Sequence, residues 1–197
     1  MSDDFDHLRK SVQAAYSAAA IEPNGNHPFP VGSDFAESVG YPAELLNKLP
    51  GESTSRFAGV SNVSIQTPMR QGMFVVDLGC GAGLDSLIAA RRVGNSGRVL
   101  GIDFSTEMLV LARRAAIQAG IERVLFVRAS AELLPLPDSS VDLALVNGLF
   151  NLNPYRQEIF HELGRIIKPG GSVAGAELIL GSPLPESLKS GSANWFS

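Results

Sequence analysis

Three glycines at alternate positions, Gly79, Gly81 and Gly83, follow the carboxylate of Asp77 at the end of the apolar run Phe74-Val-Val-Asp-Leu78. Glycine at this spacing makes a tight turn whose backbone a ligand can approach closely. An apolar helical pattern at Leu84, Leu87 and Ile88 follows at once, so the turn joins a buried strand to a helix N-terminus. Further polar groups fall just after later apolar runs: Asp103, Ser130 and Asn147. His7, His27 and His161 show no metal-ligand spacing, and no metal is expected. The single cysteine, Cys80, lies inside the turn itself and cannot form an internal disulfide.

The elements that position these groups alternate between strand and helix from residue 73 onward. Strands are expected at 73–78, 98–102, 124–128, 141–146 and 172–180, with helices at 84–93, 107–119 and 155–167. Ser105 or Thr106 caps the second helix and Gly120 stops it. Asn153 followed by Pro154 reads as the opening of the third, and Lys168-Pro-Gly-Gly171 as its end. Five apolar strands with mostly helical connections imply an α/β, Rossmann-like, doubly wound parallel sheet. In such a sheet ligands bind at the strand carboxyl ends beside the reversal of strand order, where Asp103, Ser130, Asn147 and the glycine turn all fall.

Residues 1–70 form a helical leader ahead of the α/β part, 71–197. A helix is expected at 4–20, with Leu8, Val12, Ala15 and Ala19 on one face. The proline- and glycine-rich stretch 22–32 is a loop that could serve as a hinge. Short helices follow at 33–39, capped by Ser33, and at 42–49, stopped by Pro50-Gly51. A last turn, capped by Ser61 or Asn62, ends near Pro68. The leader is expected to pack on the core as a lid, and Tyr16 is a candidate to lie over the ligand.

Composition excludes several classes. Sixteen basic against 20 acidic residues, with the basic ones scattered, leave no footprint for nucleic acid. No apolar run reaches the roughly 18 residues needed for a membrane span. The acidic start (Asp3, Asp4, Asp6) is unlike a signal peptide, and the lone cysteine fits a cytoplasmic protein.

The glycine turn narrows the ligand. A dinucleotide fingerprint G-x-G-x-x-G needs glycine where Leu84 stands, and a P-loop needs Gly-Lys-Ser/Thr, which is missing. Asp77 would also repel a pyrophosphate. A cationic ligand carrying a ribose suits the carboxylates better, as S-adenosylmethionine does. Four motifs agree: Asp77-Leu-Gly-Cys-Gly-Ala-Gly83, Gly101-Ile-Asp103, Leu134-Pro-Leu-Pro-Asp-Ser-Ser-Val-Asp142 and Leu163-Gly-Arg-Ile-Ile-Lys-Pro-Gly-Gly171. In this order and spacing they resemble the class I S-adenosylmethionine-dependent methyltransferases, over roughly residues 73–180.

A narrower likeness reaches into the leader. Gly40-Tyr41, Leu49-Pro50, Gly59-Val-Ser-Asn62, Ala89-Ala-Arg-Arg-Val-Gly94 and Asn147-Gly-Leu-Phe-Asn-Leu152 are similar to the bacterial arsenite methyltransferases. That family holds trivalent arsenic with cysteines, whereas this chain has Val60 and Gly148 at two of those positions. A soft metalloid needs thiolates, so the expected acceptor is a small molecule other than arsenite. A catalytically silent cofactor-binding protein and a quinone C-methyltransferase are the alternatives.

The resemblance implies a role for each site residue. Gly79, Gly81 and Gly83, with the backbone of Cys80, would approach the methionine part of the cofactor. Asp77 would meet its ammonium and Asp103 both ribose hydroxyls. Phe104 and Met108 would sandwich the adenine. Ser130 stands where the family has an acid for the adenine amino group, so Ser130, Ala131 and Glu132 share that contact. Asn147, Leu149 and Asn151 would lie where the methyl group meets its acceptor. No general base is identified. Similar enzymes continue past the fifth strand with a helix and an antiparallel strand pair, for which residues 181–197 are too few. A partner copy covering the edge of that strand, or truncation, is expected.

Overall fold

The computed structural model describes residues 2–179, with only the backbone of residues 2–6. The leader contains α1 (Ser2–Ile21), α2 (Ser33–Ser38), α3 (Ala43–Leu46), α4 (Gly51–Thr54) and α5 (Val63–Gln66). The α/β part follows as β1 (Phe74–Leu78), α6 (Leu84–Val93), β2 (Arg98–Asp103), α7 (Thr106–Gln118), β3 (Val124–Arg128), β4 (Val141–Asn147), a 3-10 turn (Phe150–Leu152), α8 (Arg156–Ile166) and β5 (Ile167–Ala176).

All four strand pairings are parallel and the sheet order is β3-β2-β1-β4-β5. The order reverses between β1 and β4, so the crossovers place helices on both faces. Strand periodicity divides the core accordingly. Val75, Leu143 and Leu145 face Leu87, Leu109 and Ala112 of α6 and α7, together with Tyr41, Phe57 and Val63 of the leader. Val76, Leu78, Ala144 and Val146 face Ile159, Leu163 and Ile166 of α8. The leader thus shares one face of the sheet with α6 and α7, and it reaches the carboxyl ends of β1 and β4.

Several local expectations are corrected. α8 ends at Ile166 and β5 begins directly at Ile167, five residues earlier than expected. Pro169 disfavours helical backbone at Lys168, and the extra residues form a bulge: Val141 pairs with Ile167, yet Leu143 pairs with Ser172. Pro50 precedes the one-turn α4 instead of ending a longer α3. Ser33 is the first residue of α2, behind Gly32, and Asn62 precedes α5 without capping it by its side chain. The first residue outside α8 is Tyr155, while Asn153 accepts the Tyr155 N–H at 2.8 Å. Ser105 does cap α7, accepting the Met108 N–H at 3.2 Å. The expectations for residues 181–197 lie outside the described residues. No helix among the described residues is long and apolar enough to cross a membrane.

Candidate cofactor and acceptor site

The turn after β1 has three left-handed glycines, Gly79 (φ 77°), Gly81 (φ 51°) and Gly83 (φ 86°). That backbone is strained for other residues, which accounts for the alternating pattern. Its amides are tied inward: Gly79 and Cys80 donate to the Ile102 carbonyl at 2.8 and 3.1 Å, and Gly83 donates to the Cys80 carbonyl at 2.9 Å. The Gly81 N–H donates to Asp103 Oδ2 at 2.8 Å, and Asp103 Oδ1 accepts the Ser105 N–H at 2.8 Å. Asp103 therefore fastens the first turn to the second while lining the cavity between them.

This cavity, about 1170 Å³ of empty space open to solvent, is lined by eleven of the twelve sequence-predicted residues: Asp77, Gly79, Cys80, Gly81, Asp103, Phe104, Met108, Ser130, Ala131, Glu132 and Asn147. Gly83 is the exception. It precedes α6 and packs against Phe126 and Ala112, where a Cβ would lie 3.1 and 3.2 Å from them. Its glycine requirement comes from its left-handed backbone and from core packing. Asn151 is also outside the cavity, with its side-chain amide donating to the Leu178 carbonyl. Leu149 does line the cavity.

Three acids at the cavity, Asp77, Asp85 and Asp103, are buried, with 2%, 6% and 8% of their surfaces exposed. None has an ion-pair partner among the described residues. Asp77 accepts the Ser86 hydroxyl at 2.5 Å, and the Ser86 backbone N–H also favours its charged form. Burial, reinforced by the Asp85 carboxylate, pushes the Asp77 carboxyl up to about 8. Burial also raises Asp103, although the N–H groups of Ser105 and Gly81 oppose it. Buried acids without cations favour a cationic ligand. Burial pushes the Cys80 thiol up as well, which makes it inert at neutral pH. A Cβ on Gly101 would lie 2.9 Å from its sulfur, so the thiol points under the sheet.

Asn147 is committed differently from expectation. Its Oδ1 accepts the N–H groups of Val60 at 2.8 Å and Ser61 at 3.1 Å. Its Nδ2 donates to the Ser61 carbonyl at 2.7 Å and to Asp85 Oδ2 at 2.9 Å. Tyr41 completes the cluster by donating to Asp85 Oδ1 at 2.5 Å. Burial first, and then the Asp85 carboxylate, raise the Tyr41 phenol far above its ordinary range. Asn147 is thus a bolt between β4 and the leader, with its polar atoms engaged by protein.

At the other end, Ser130 donates to Glu132 Oε2 and accepts from Arg9 of α1 at 3.1 Å. Glu132 also accepts from Asn153 at 2.8 Å. Burial works to raise Glu132, but the bonds from Ser130 and Asn153 outweigh it and hold its carboxyl below the usual range. Arg9, Val12, Gln13 and Tyr16 of α1 line the cavity, as do Ser53, Arg56, Phe57 and Gly59. Sequence reasoning proposed only Tyr16 among these. The spacing 9, 12, 13, 16 is a helical stripe and was a legible signal. Asp85 reads in sequence as an ordinary first-turn helix acid, and Arg56 stands alone in a loop with no pattern around it.

A family profile described as a methyltransferase domain matches residues 69–196. The chain belongs to the methyltransferase-domain family. An arsenite methyltransferase of Halobacterium salinarum is 32% identical over 154 residues, which are 78% of this chain and 39% of that protein. A demethylmenaquinone methyltransferase of Listeria monocytogenes is 36% identical over 107 residues, 54% of this chain and 45% of that protein. An arsenic(III) S-adenosylmethionine methyltransferase from Chlamydomonas reinhardtii has a similar structure, with a TM-score of 0.66 at 31% identity over 74% of this chain and 51% of that one. The chain therefore spans about half or less of the length of these relatives. Membership makes S-adenosylmethionine the cofactor. The cavity fits it: a glycine turn open to close approach, three buried acids for a sulfonium and an ammonium, and Phe104 and Met108 beside the second strand end.

Proposed function

We propose that this chain transfers a methyl group from S-adenosylmethionine to a small-molecule acceptor other than trivalent arsenic. The supporting observation is the contact between Val60 and Gly148, where a Cβ on residue 148 would lie 3.1 Å from Val60 Cγ1. These are the two positions at which the similar arsenite enzymes carry cysteine, and here they meet as an isopropyl group and a bare backbone. A soft metalloid is held by thiolates, and the Cys80 thiol is turned into the core.

Asp77 and Asp103 hold the ammonium and the ribose, and Phe104 and Met108 the adenine. Bound there, S-adenosylmethionine supplies a methyl group already activated by its sulfonium. The protein's part is therefore orientation and the exclusion of water. Phe57, Leu149 and Leu152 give the cavity an apolar wall, and α1 closes it as a lid.

The test is transfer of a labelled methyl group to a panel of thiols, phenols, quinols and arsenite. Label in an organic product supports the reading, and label on a quinol ring carbon would identify the quinone-type alternative. Methylated arsenic would contradict it. Tight cofactor binding with no transfer to any acceptor would favour a silent cofactor-binding protein.

A further inference from the structure

With Asp77 at the cofactor's ammonium and Asp103 at its ribose, one of the three buried acids is left without a task. Asp85 lines the cavity with 6% of its surface exposed, and no cation among the described residues forms an ion pair with it. A buried carboxylate held only by neutral groups is costly. Its orientation is nevertheless fixed from both sides, because Tyr41 donates to Oδ1 at 2.5 Å and Asn147 to Oδ2 at 2.9 Å. A carboxylate offers about four lone-pair sites, so these two bonds leave room for a further donor from the cavity. The titratable groups that face it are Asp77 of β1 and Tyr41 of the leader.

Asp85 also stands beside the apolar wall. A Cβ on Gly59 would lie 2.6 Å from Asn147 Nδ2 and 2.8 Å from Phe57 Cζ, so the amide that holds Asp85 adjoins the Phe57 ring. Tyr41, its other holder, meets the same ring edge to face, with centroids 5.0 Å apart. A Cβ on Gly79 would lie 3.2 Å from Leu149 Cδ1, which brings that side chain over the glycine turn. An aromatic acceptor lying along Phe57 and Leu149 would therefore have a positioned carboxylate at its rim.

We propose that Asp85 is the general base of the reaction and that the acceptor is a neutral phenol whose hydroxyl donates to it. The inference rests on the methyl-transfer reading of the cavity. Three buried acids repel a phenolate, so the acceptor enters with its proton and must lose it in place. A lone pair of the phenol oxygen forms the O–CH3 bond while the S–CH3 bond breaks and leaves its electron pair on sulfur. The phenol proton passes to Asp85 and from there to water through the open side of the cavity. Tyr41 and Asn147 are positioning residues for this base.

The experiment is transfer of a labelled methyl group to 4-methylphenol and 4-nitrophenol, two phenols of similar size, at about pH 8. An ordinary phenol titrates near 10 and keeps its proton there, whereas 4-nitrophenol has largely lost it and needs no base. The comparison is made in kcat, because repulsion of the phenolate acts on KM. Asp85→Asn is expected to lower kcat for 4-methylphenol by about 100-fold or more relative to 4-nitrophenol, as for loss of a general base. Equal losses on the two phenols would overturn the proposal, by showing that Asp85 only holds the leader. Tyr41→Phe keeps both the ring and the carboxylate, and decides the matter if Asp85→Asn does not fold. Freed of one donor, the carboxylate should take a proton more readily, so the ratio of 4-methylphenol to 4-nitrophenol turnover should rise above that of the wild type. An unchanged or lower ratio would overturn the proposal. Transfer by the wild type to thiols but to neither phenol would overturn this inference alone, and transfer to no acceptor at all would overturn the methyl-transfer reading with it.

Discussion

Replacing Asn147 by alanine should loosen the leader from the sheet. The side chain accepts from the Val60 and Ser61 N–H groups, at 2.8 and 3.1 Å, and donates to the Ser61 carbonyl and Asp85, at 2.7 and 2.9 Å. Two half-buried N–H groups left without partners at about 1 kcal/mol each, plus about 1.5 kcal/mol for the bond to a carboxylate, give roughly 3.5 kcal/mol. The lower end of each range applies because the cavity is open and water can reach the vacated space. At about 2–4 °C per kcal/mol for a domain of this size, the melting temperature should fall by about 7–14 °C. Thermal and urea unfolding of the two proteins measure it. Asn147→Asp should be worse, since a new carboxylate would face Asp85, and its deficit should shrink at acidic pH. An Asn147→Ala protein that melts within about 2 °C of wild type would refute the idea that this side chain bolts the leader down.

The raised carboxyl of Asp77 has two consequences. Its folded value of about 8 lies above the ordinary carboxylate value near 4. Its contribution to stability is therefore fully present below pH about 4 and is lost as pH rises to about 8. Asp77→Asn should flatten that part of the stability profile, and an unchanged profile would count against it. Bringing the cofactor's ammonium to Asp77 should also release a proton near pH 7, so the binding enthalpy will depend on the ionisation enthalpy of the buffer. The buried thiol of Cys80 should react with a thiol reagent only slowly in the native protein and readily in urea; fast native labelling would contradict its burial.

Much of this architecture was legible because its signals are local. Every strand and helix of the α/β part left a periodic run, and α6 and β3 fall on the residues that periodicity marks out. The glycine spacing and Asp103 likewise led directly to the cavity. What stayed hidden is long-range. Asn147 looks like a substrate-facing residue at a strand end, and only the fold brings Val60 and Ser61 to within hydrogen-bond reach of it. Tyr41 and Asp85 are 44 positions apart in the chain, and neither signals the other. Lys168-Pro-Gly-Gly171 carries the residues of a helix stop, and the register of β4 makes it a bulge within β5. Gly83 shares the left-handed backbone of its neighbours, and its close contact with Phe126 and Ala112 is a further reason that no spacing rule contains.

The division of labour within the leader follows from the same contacts. Tyr41 and residues 60–61 are joined to the core through buried bonds at Asp85 and Asn147. The helix α1 is held by burial of Leu8, Val12, Ala19 and Ala20 and by the Arg56 bond to the Ala20 carbonyl at 2.7 Å, with exposed polar contacts from Arg9 to Ser130 and from Ser17 to Glu107 at 3.0 Å added at its outer side. Exposed contacts of this kind contribute little and weaken with salt. The buried cluster at Asp85 and Asn147 suits a fixed wall.

The central claim is that the cavity between the glycine turn and Asp103 holds S-adenosylmethionine. Calorimetric titration of S-adenosylhomocysteine into the wild type and Asp103→Ala tests it most directly. The account predicts saturable one-to-one binding to the wild type, weakened about 100-fold or more in the variant, since two hydrogen bonds to a charged group would be lost. Equal affinity in the two proteins would contradict it.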